Sequence, residues 1–94
     1  MIAVVILNWN GAEMLRQFLP SVVEHSHPLG EVIVADNGST DNSLEILQQE
    51  FPEVRTLVLD HNYGFAEGYN EAFRRLEIIA PQRYEYYLLL NSDV

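Results

Sequence analysis

Hydrophobic residues along this chain alternate between two patterns, unbroken apolar runs and apolar positions at helical spacing. The unbroken runs, rich in β-branched and aliphatic residues, predict strands at 2–7, 31–35, 54–59 and 86–90. The helical spacing predicts helices at 12–24, from about 42 to 51, and from 65 to about 76. The order β-α-β-α-β-α-β predicts a three-layer α/β/α fold with a mainly parallel four-stranded sheet, the arrangement of a Rossmann-like domain.

Prolines and capping residues set the expected ends of the helices. Pro20 lies inside the first helical pattern and predicts a kink or two short helical pieces. Asn42 and Glu45 have capping-box spacing, and Asp41 is a second candidate cap. Pro52 ends that helix. The third helix is predicted to bury the face that carries Ala66, Tyr69, Phe73 and Leu76.

Clusters of polar residues follow three of the predicted strands, at 8–11, 36–41 and 91–93. In parallel α/β sheets, ligands bind beyond the carboxyl ends of the strands, where the strand order reverses. Right-handed crossovers bring these ends to one edge of the sheet. The three clusters together therefore predict a nucleotide site at that edge.

Four residues of these clusters have chemistry that suits a nucleotide. Asp36 ends a strand, where a carboxylate can accept hydrogen bonds from a base N–H or from ribose hydroxyls. Asn8 and Asn10 can donate to a base or a phosphate. Asp93 can supply a hard oxygen ligand to a divalent metal that bridges phosphates.

Simpler explanations remain open for several positions. Asp41 and Ser43 need only cap the following helix, and Trp9 is expected to pack against the sheet edge. Taken alone, the segment 91–93 fits an ordinary turn as well as a metal site. Solvated side chains without a metal or ligand are expected at His25, His27, His61, Arg74 and Arg75.

A further polar segment, 62–70, combines a strand-end loop with the start of a helix. Its two glycines allow close backbone approach and leave N–H groups available to an anion. A turn relieved by glycine, with aromatic residues in the core, explains all of the segment except Asn62 and Asn70.

Composition narrows the possible functions. The 94 residues make one small domain, and a hydrophobic content of 48% is enough for a core. The chain has five arginines and no lysine, which excludes P-loop and pyridoxal-phosphate chemistry because both need a lysine. A net charge of −9 argues against a nucleic-acid partner.

The same composition gives an expectation about the cellular compartment. The absence of cysteine is consistent with a reducing cytoplasm, and the first residues do not resemble a signal peptide. No apolar run approaches the ~20 residues that span a bilayer. We expect a cytoplasmic protein, in which any membrane association would come from a longer chain.

The polar clusters and their order resemble the N-terminal half of family 2 glycosyltransferases, which have the GT-A fold. The matching segments are 4–11, 32–41, 62–66 and 88–93. The asparagine-rich first loop most resembles a rhamnosyltransferase-like branch. Because the family domain is much longer, residues 1–94 are expected to be a single partial domain that binds the nucleotide sugar.

The resemblance implies a donor site for a nucleotide-diphosphate sugar, such as a UDP- or dTDP-sugar. By position, Asp36 would meet a uracil- or thymine-like base, with Asn8 and Asn10 nearby. Asn62 falls near the region that contacts the base. The acceptor would be a hydroxyl group of a saccharide or another molecule.

The resemblance also implies a divalent metal, Mg²⁺ or Mn²⁺. Asp93 matches the last aspartate of the family's D-x-D motif. Asn91 replaces the first one, so this ligand-binding position keeps one oxygen ligand or hydrogen bond but loses a charge. In the family the metal stabilises the departing diphosphate while a hydroxyl, deprotonated by a carboxylate, attacks the sugar with inversion. That carboxylate lies beyond the motif, so this chain is expected to bind the donor without transferring sugar.

Two alternatives remain at this point. A nucleotidyltransferase would normally carry a first loop rich in glycine and lysine or arginine, which 8–16 lacks. A non-catalytic module that binds a nucleotide or a protein partner is the other. A partial domain would expose a sheet edge that its missing half covers, which makes self-association an expected property.

Overall fold

A computed structural model describes residues 1–26, 28 and 30–91 of the chain. The predicted alternation of strands and helices is confirmed. The elements are β1 (Ile2–Asn8), α1 (Ala12–Ser26), β2 (Gly30–Asp36), α2 (Ser43–Glu50), β3 (Arg55–Val58), α3 (Phe65–Ile79) and β4 (Tyr86–Asn91).

The four strands form one parallel sheet in the order β3-β2-β1-β4. The chain moves outward from β1 to β2 and β3, then crosses back to place β4 on the other side of β1, so the strand order reverses beside β1. Asn8 pairs in register with Asp36, and Leu7 pairs with Asn91. The three polar clusters therefore begin at one edge of the sheet, as predicted.

Helices cover both faces of the sheet and produce two hydrophobic cores. Alternate side chains of the central strands point to opposite faces, so each strand contributes to both cores. The core under α1 and α2 contains Val4, Ile6, Leu15, Leu19, Val32, Val34, Ile46 and Leu47. The core under α3 contains Val5, Leu7, Ile33, Ala35, Leu57, Tyr69, Ala72 and Leu76. The three-layer α/β/α architecture is confirmed.

Two details of the first two helices differ from the sequence prediction. The expectation of two short pieces at Pro20 is wrong, because α1 continues through it as one helix of 15 residues. Leu15, Leu19 and Val22, on both sides of that proline, pack into one core. The stabilisation from this packing outweighs the cost of the backbone hydrogen bond that proline cannot make, so the helix continues. At the start of α2, Asn42 makes no side-chain cap hydrogen bond.

The buried face of α3 was predicted only in part. Tyr69 and Leu76 are buried as expected, together with Gly68 and Ala72. Ala66 is exposed and Phe73 is half-buried. The first turn of α3 is largely exposed, so the buried stripe begins one turn later than the periodicity suggested.

The fourth strand forms as predicted, but it is an edge strand and is not buried. Tyr86 is 69% exposed, Leu88 52% and Leu89 47%. Tyr87 packs against the core under α3, and Leu90 against the core under α1 and α2. Within the described ranges, no helix is long and apolar enough to cross a membrane.

Two isoleucines test how strongly the sheet core determines stability. Ile33 of β2 is 0% exposed and Ile79 at the end of α3 is 52% exposed. Ile33→Ala is expected to lower the free energy of unfolding by about 2–5 kcal/mol, because it leaves a cavity between packed layers. The same change at Ile79 should cost less than about 1 kcal/mol. Urea unfolding followed by circular dichroism compares them, and equal costs would contradict this assignment of the core.

Candidate nucleotide site at the carboxyl edge of the sheet

A buried pair of polar side chains lies where β1 and β2 end. Asn8 is 0% exposed and Asp36 is 1% exposed, and Asn8 Nδ2 donates to Asp36 Oδ1 at 3.0 Å. Asp36 also accepts hydrogen bonds from Ser39, at 2.7 Å from Oγ to its Oδ1 and at 3.0 Å from the backbone N–H to its Oδ2. Asp36 therefore has a structural role as well, because it holds the turn at 36–39.

Asp36 nevertheless keeps capacity for a ligand. An ionised carboxylate offers about four lone-pair sites, and the described side chains and backbone use three of them. A base N–H or a ribose hydroxyl needs one more. The structural role and the predicted binding role of this carboxylate are compatible.

Asn8 contributes a second feature of the site, a buried acceptor with no protein donor. Among the described residues, no hydrogen bond reaches Asn8 Oδ1, although that atom is shielded from solvent. A Cβ at Gly11 would lie 2.6 Å from it, so the first loop folds closely over this oxygen. Buried polar atoms without partners are rare, and an ordered water is the usual way to satisfy one.

Asn10 joins the first loop, residues 9–11 between β1 and α1, to the second loop, residues 37–42 between β2 and α2. Its backbone is left-handed, with φ of 50°, a conformation that asparagine tolerates better than most residues. Its Oδ1 accepts from the N–H groups of Thr40 at 2.7 Å and Asp41 at 3.1 Å, and its own N–H donates to Ser39 Oγ at 2.9 Å. Asn10 thus lies at the predicted carboxyl edge of the sheet, and hydrogen bonds to its side-chain oxygen hold the two loops together.

Asp41 joins the starts of α1 and α2. Its Oδ1 accepts from the N–H of Ser43 at 3.0 Å and from Ser43 Oγ at 2.5 Å, and its Oδ2 accepts from the N–H of Ala12 at 3.2 Å. Burial raises the pKa of Asp41, but these hydrogen bonds outweigh it and hold the pKa below its ordinary value. The capping interpretation of Asp41 and Ser43 fits this geometry.

Asn37, which no sequence pattern singled out, connects the second loop to the third, residues 59–64 between β3 and α3. This residue is 3% exposed. Its Oδ1 accepts from the N–H of Tyr63 at 2.9 Å, and its Nδ2 donates to Gly64 O at 3.0 Å and Asn62 Oδ1 at 3.2 Å. The predicted residue Asn62 is therefore tied to the strand-end cluster. Only its position after a buried strand-end aspartate could have suggested a role for Asn37.

The third loop has its own anchor outside the predicted residues. Arg75 donates to Asp60 Oδ1 at 2.8 Å and to Val58 O at 3.1 Å, so the prediction of a solvated face is wrong for Arg75. Tyr63 also donates to Asp60. The hydrogen bond from Tyr63 and further ones from His61 and Arg75 hold the pKa of Asp60 well below its usual range. This anchor fixes the loop beside Asn62.

Two aromatic side chains are exposed next to the site. Trp9, directly after Asn8, is 54% exposed, so the expectation that it packs against the sheet edge is wrong. Phe65 at the start of α3 is 61% exposed and contacts Tyr69 edge to face, with ring centroids 5.2 Å apart. Both present apolar surface near the carboxyl ends of the strands.

The positive charges of the chain are all engaged by carboxylates. Each of the five arginines forms an ion pair: Arg16 with Glu13 and Glu50, Arg55 and Arg83 with Glu31, Arg74 with Glu71, and Arg75 with Asp60 and Glu71. None of these partners belongs to the cluster at Asn8, Asp36 and Asn37. Since the chain carries a net charge of −9, a diphosphate here would need backbone N–H groups or a cation.

The predicted metal ligand, Asp93, lies outside the described residues. Asn91 ends β4 beside Leu7. Within the described residues, no group of three or more histidine, aspartate or glutamate side chains could hold a metal. Asp93 as a metal ligand stays a prediction.

Comparison with known proteins identifies the class of protein that this fold and site define. Residues 3–80 match the model of the glycosyl transferase family 2. The chain belongs to that family, which confirms the resemblance found in the sequence.

Individual relatives agree with this membership. The chain is 33% identical over 75 residues to an uncharacterized glycosyltransferase of Nostoc sp., covering 77% of this chain and 23% of the relative. It is 29% identical over 96 residues to the N-acetylglucosaminyl-diphospho-decaprenol L-rhamnosyltransferase of Mycobacterium tuberculosis, covering 97% of this chain and 31% of that protein. The chain therefore spans about a quarter to a third of the length of these relatives.

Solved structures share the fold. S. aureus TarS 1–349 in complex with UDP-GlcNAc superimposes with a TM-score of 0.74 at 24% identity, over 98% of this chain and 26% of that one. A mannosyltransferase from Pyrobaculum calidifontis, in complex with GDP-Man and Mn²⁺, gives a TM-score of 0.64 at 23% identity, over 79% of this chain and 24% of that one. The GT-A architecture predicted from the sequence is confirmed.

The lowered pKa of Asp41 predicts a specific pH dependence. A carboxylate whose pKa is lower in the folded than in the unfolded state stabilises fully above the unfolded value, about 3.9, and loses this effect as the pH falls through the folded value. Asp41→Asn should therefore lower the free energy of unfolding at pH 7, by an amount that shrinks as the pH falls below about 4.

Urea unfolding of wild type and Asp41→Asn across this pH range measures the effect. Ser43→Ala is the matched test of the cause, because losing the hydroxyl donor should return the Asp41 pKa towards its ordinary value in an NMR titration. A stability difference between wild type and Asp41→Asn that is the same at pH 7 and at pH 2 would contradict the assignment.

Proposed function

We propose that this chain binds the donor of an inverting, metal-dependent glycosyltransferase, and that the donor is a UDP- or dTDP-sugar. The observation that carries the proposal is the buried Asn8–Asp36 pair beside the reversal of strand order, in a chain of glycosyltransferase family 2. A buried carboxylate with one remaining acceptor position suits an N–H donor in a pyrimidine base. The TarS structure with UDP-GlcNAc supports a uridine donor by similarity of fold.

The predicted residues divide into two roles in this proposal. Asp36 contacts the base as an acceptor, and Asn62, which lies near the base, contacts the nucleotide through its amide. Asn8 and Asn10 fix the loops around the base, since Asn8 is buried against Asp36 and Asn10 clasps the second loop. Loops already held in place by hydrogen bonds can bind a ligand without having to be ordered first.

The metal in the proposal is Mg²⁺ or Mn²⁺, held by Asp93 with help from Asn91 and the diphosphate. Its chemistry would be to neutralise the charge that develops on the departing diphosphate. A cation of this kind is needed because all five arginines form ion pairs with carboxylates outside the site and are not available to the diphosphate. The mannosyltransferase structure that contains Mn²⁺ is consistent with it.

The acceptor hydroxyl and its catalytic base are assigned to parts of a longer protein. This assignment is supported by the share of the relatives that the chain spans, 23% and 31% of two of them. We propose that residues 1–94 alone bind the donor and do not transfer its sugar.

Isothermal titration calorimetry with UDP-GlcNAc and a dTDP-sugar tests the proposal. Binding is expected in the presence of Mn²⁺ and should weaken when EDTA removes it. Asp36→Ala and Asp93→Ala should each weaken binding about tenfold or more, because each substitution removes a hydrogen bond or a contact made by a charged group. Glu53→Ala is the control and should bind like wild type, because Glu53 lies just before β3, at the amino-terminal ends of the strands and away from the site.

Two results would overturn the assignment. One is a folded sample that binds neither nucleotide sugar. The other is binding that does not change with Asp36→Ala, Asp93→Ala or EDTA. Sugar transfer by the 94-residue chain to a saccharide acceptor would disprove the assignment of catalysis to other parts of the protein.

We also propose that the isolated 94-residue chain self-associates through the edge of β4. Support comes from its exposed Tyr86, Leu88 and Leu89, since a strand edge with apolar side chains can pair with another chain. Sedimentation velocity should show a dimer that Leu88→Glu converts to a monomer. Ile78→Glu, at a 66% exposed position of α3, is the matched control and should leave the dimer intact. A monomeric wild type would disprove the proposal.

A further inference from the structure

Asn37 is built into the fold in a way that leaves its side chain with no role at the ligand surface. The residue is 3% exposed, and both ends of its amide are engaged by the third loop. Its backbone N–H donates to Asn8 O at 2.7 Å, which holds it to the end of β1. A residue this enclosed acts on a ligand only through its neighbours.

The orientation of the Asn37 amide follows from backbone partners. Its Oδ1 receives the N–H of Tyr63, which can only donate, and its Nδ2 reaches Gly64 O, which can only accept. Rotating the amide by half a turn would place Nδ2 against the N–H of Tyr63 and Oδ1 against Gly64 O, so both hydrogen bonds would be lost. The donor that points at Asn62 is therefore fixed.

The orientation of Asn62 follows in turn. Its Oδ1 accepts from the N–H of Gly64 at 2.7 Å and from Asn37 Nδ2 at 3.2 Å. Its Nδ2 makes no hydrogen bond to another described residue, and Asn62 is exposed. The amide nitrogen, with two N–H donors, is consequently the end of Asn62 left available to a ligand.

Two glycines allow this close arrangement of loops. Gly38 has a positive φ of 77°, and a Cβ there would lie 2.7 Å from Asn62 N. A Cβ at Gly68 would lie 3.0 Å from Asn37 Nδ2 and 2.8 Å from Leu7 Cδ2. The third loop and α3 thus enclose Asn37 from two sides, which limits other orientations of its side chain.

We propose that Asn37 is a positioning residue that turns the N–H donors of Asn62 toward an oxygen acceptor of the nucleotide, either a base carbonyl or a phosphate oxygen; this deepens the proposed function and rests on it. In that arrangement Asp36 provides an acceptor and Asn62 a donor on neighbouring loops. The pair selects a ligand that offers the complementary donor and acceptor.

Amide exchange without ligand tests the orientation. In Asn37→Asp, the carboxylate still accepts from Tyr63 N–H but can no longer donate to Asn62 Oδ1, so Asn62 should turn its nitrogen inward. The Gly64 N–H then loses its acceptor, and its exchange measured by NMR should accelerate about three- to tenfold. Asn42→Asp is the control, because it makes the same change at an exposed amide with no cap hydrogen bond. Unchanged Gly64 exchange in Asn37→Asp would overturn the orientation.

Binding of UDP tests the recognition. Asn37→Asp and Asn62→Ala should each weaken UDP about three- to tenfold, whereas Asn42→Asp should not. If Asn37 acts through Asn62, the double variant Asn37→Asp/Asn62→Ala should bind no more weakly than Asn62→Ala alone. Additive losses would mean that Asn37 acts by another route and would overturn the proposal.

Asn62→Asp keeps the proposal testable if Asn37→Asp does not fold. It preserves the oxygen that accepts from Gly64 and Asn37 but removes the outward donors, so UDP should weaken while Gly64 exchange stays unchanged. Equal UDP affinity would overturn the recognition role. Titration with uridine separates the two acceptors: weakening with uridine as well as UDP indicates a base carbonyl, and weakening with UDP alone indicates a phosphate.

Failure of this inference is distinguishable from failure of the proposed function. A folded wild type that binds neither UDP nor uridine overturns donor binding and the recognition role of Asn62 together. A wild type that binds UDP, with Asn37→Asp and Asn62→Asp unchanged in affinity, overturns only the inference.

Discussion

The buried hydrogen bond between Asn8 and Asp36 is the interaction on which the candidate nucleotide site of this protein depends. Parallel strands bring the ends of β1 and β2 to the same level, in register, so both side chains lie inside the sheet edge with almost no exposure. A carboxylate in such a place is costly unless hydrogen bonds surround it. Asn8 supplies one and Ser39 supplies two, and the turn at 36–39 takes its shape from them.

The loops around this pair form a continuous network of amides. Asn10 ties the first loop to the second, and Asn37 ties the second to the third. Asparagine serves both places because it donates and accepts at one short, uncharged side chain. The arginines take no part in this network, since each pairs with carboxylates outside it. The site is therefore preorganised but carries little positive charge of its own.

The two edges of the sheet are unlike each other. At the β3 edge, Arg75 donates to the carbonyl of Val58, which occupies one of the backbone groups that an edge strand leaves open. At the β4 edge, Leu88 and Leu89 are about half exposed. The family relatives reported above are three to four times longer than the matched segment, as their coverage of 23% and 31% indicates.

The sequence by itself determined the fold class, the order of the elements and the edge at which the polar strand ends gather, because hydrophobic periodicity and strand-end polar residues are local signals. It also pointed to Asn8, Asn10, Asp36 and Asn62. What only the tertiary structure decided is how those side chains are used. Asn37 could not be distinguished from a capping residue, and Arg75 looked like any exposed arginine, since their partners lie 15 to 27 residues away. Contacts between loops depend on the packing of whole strands and helices, and that information is not contained in any short segment.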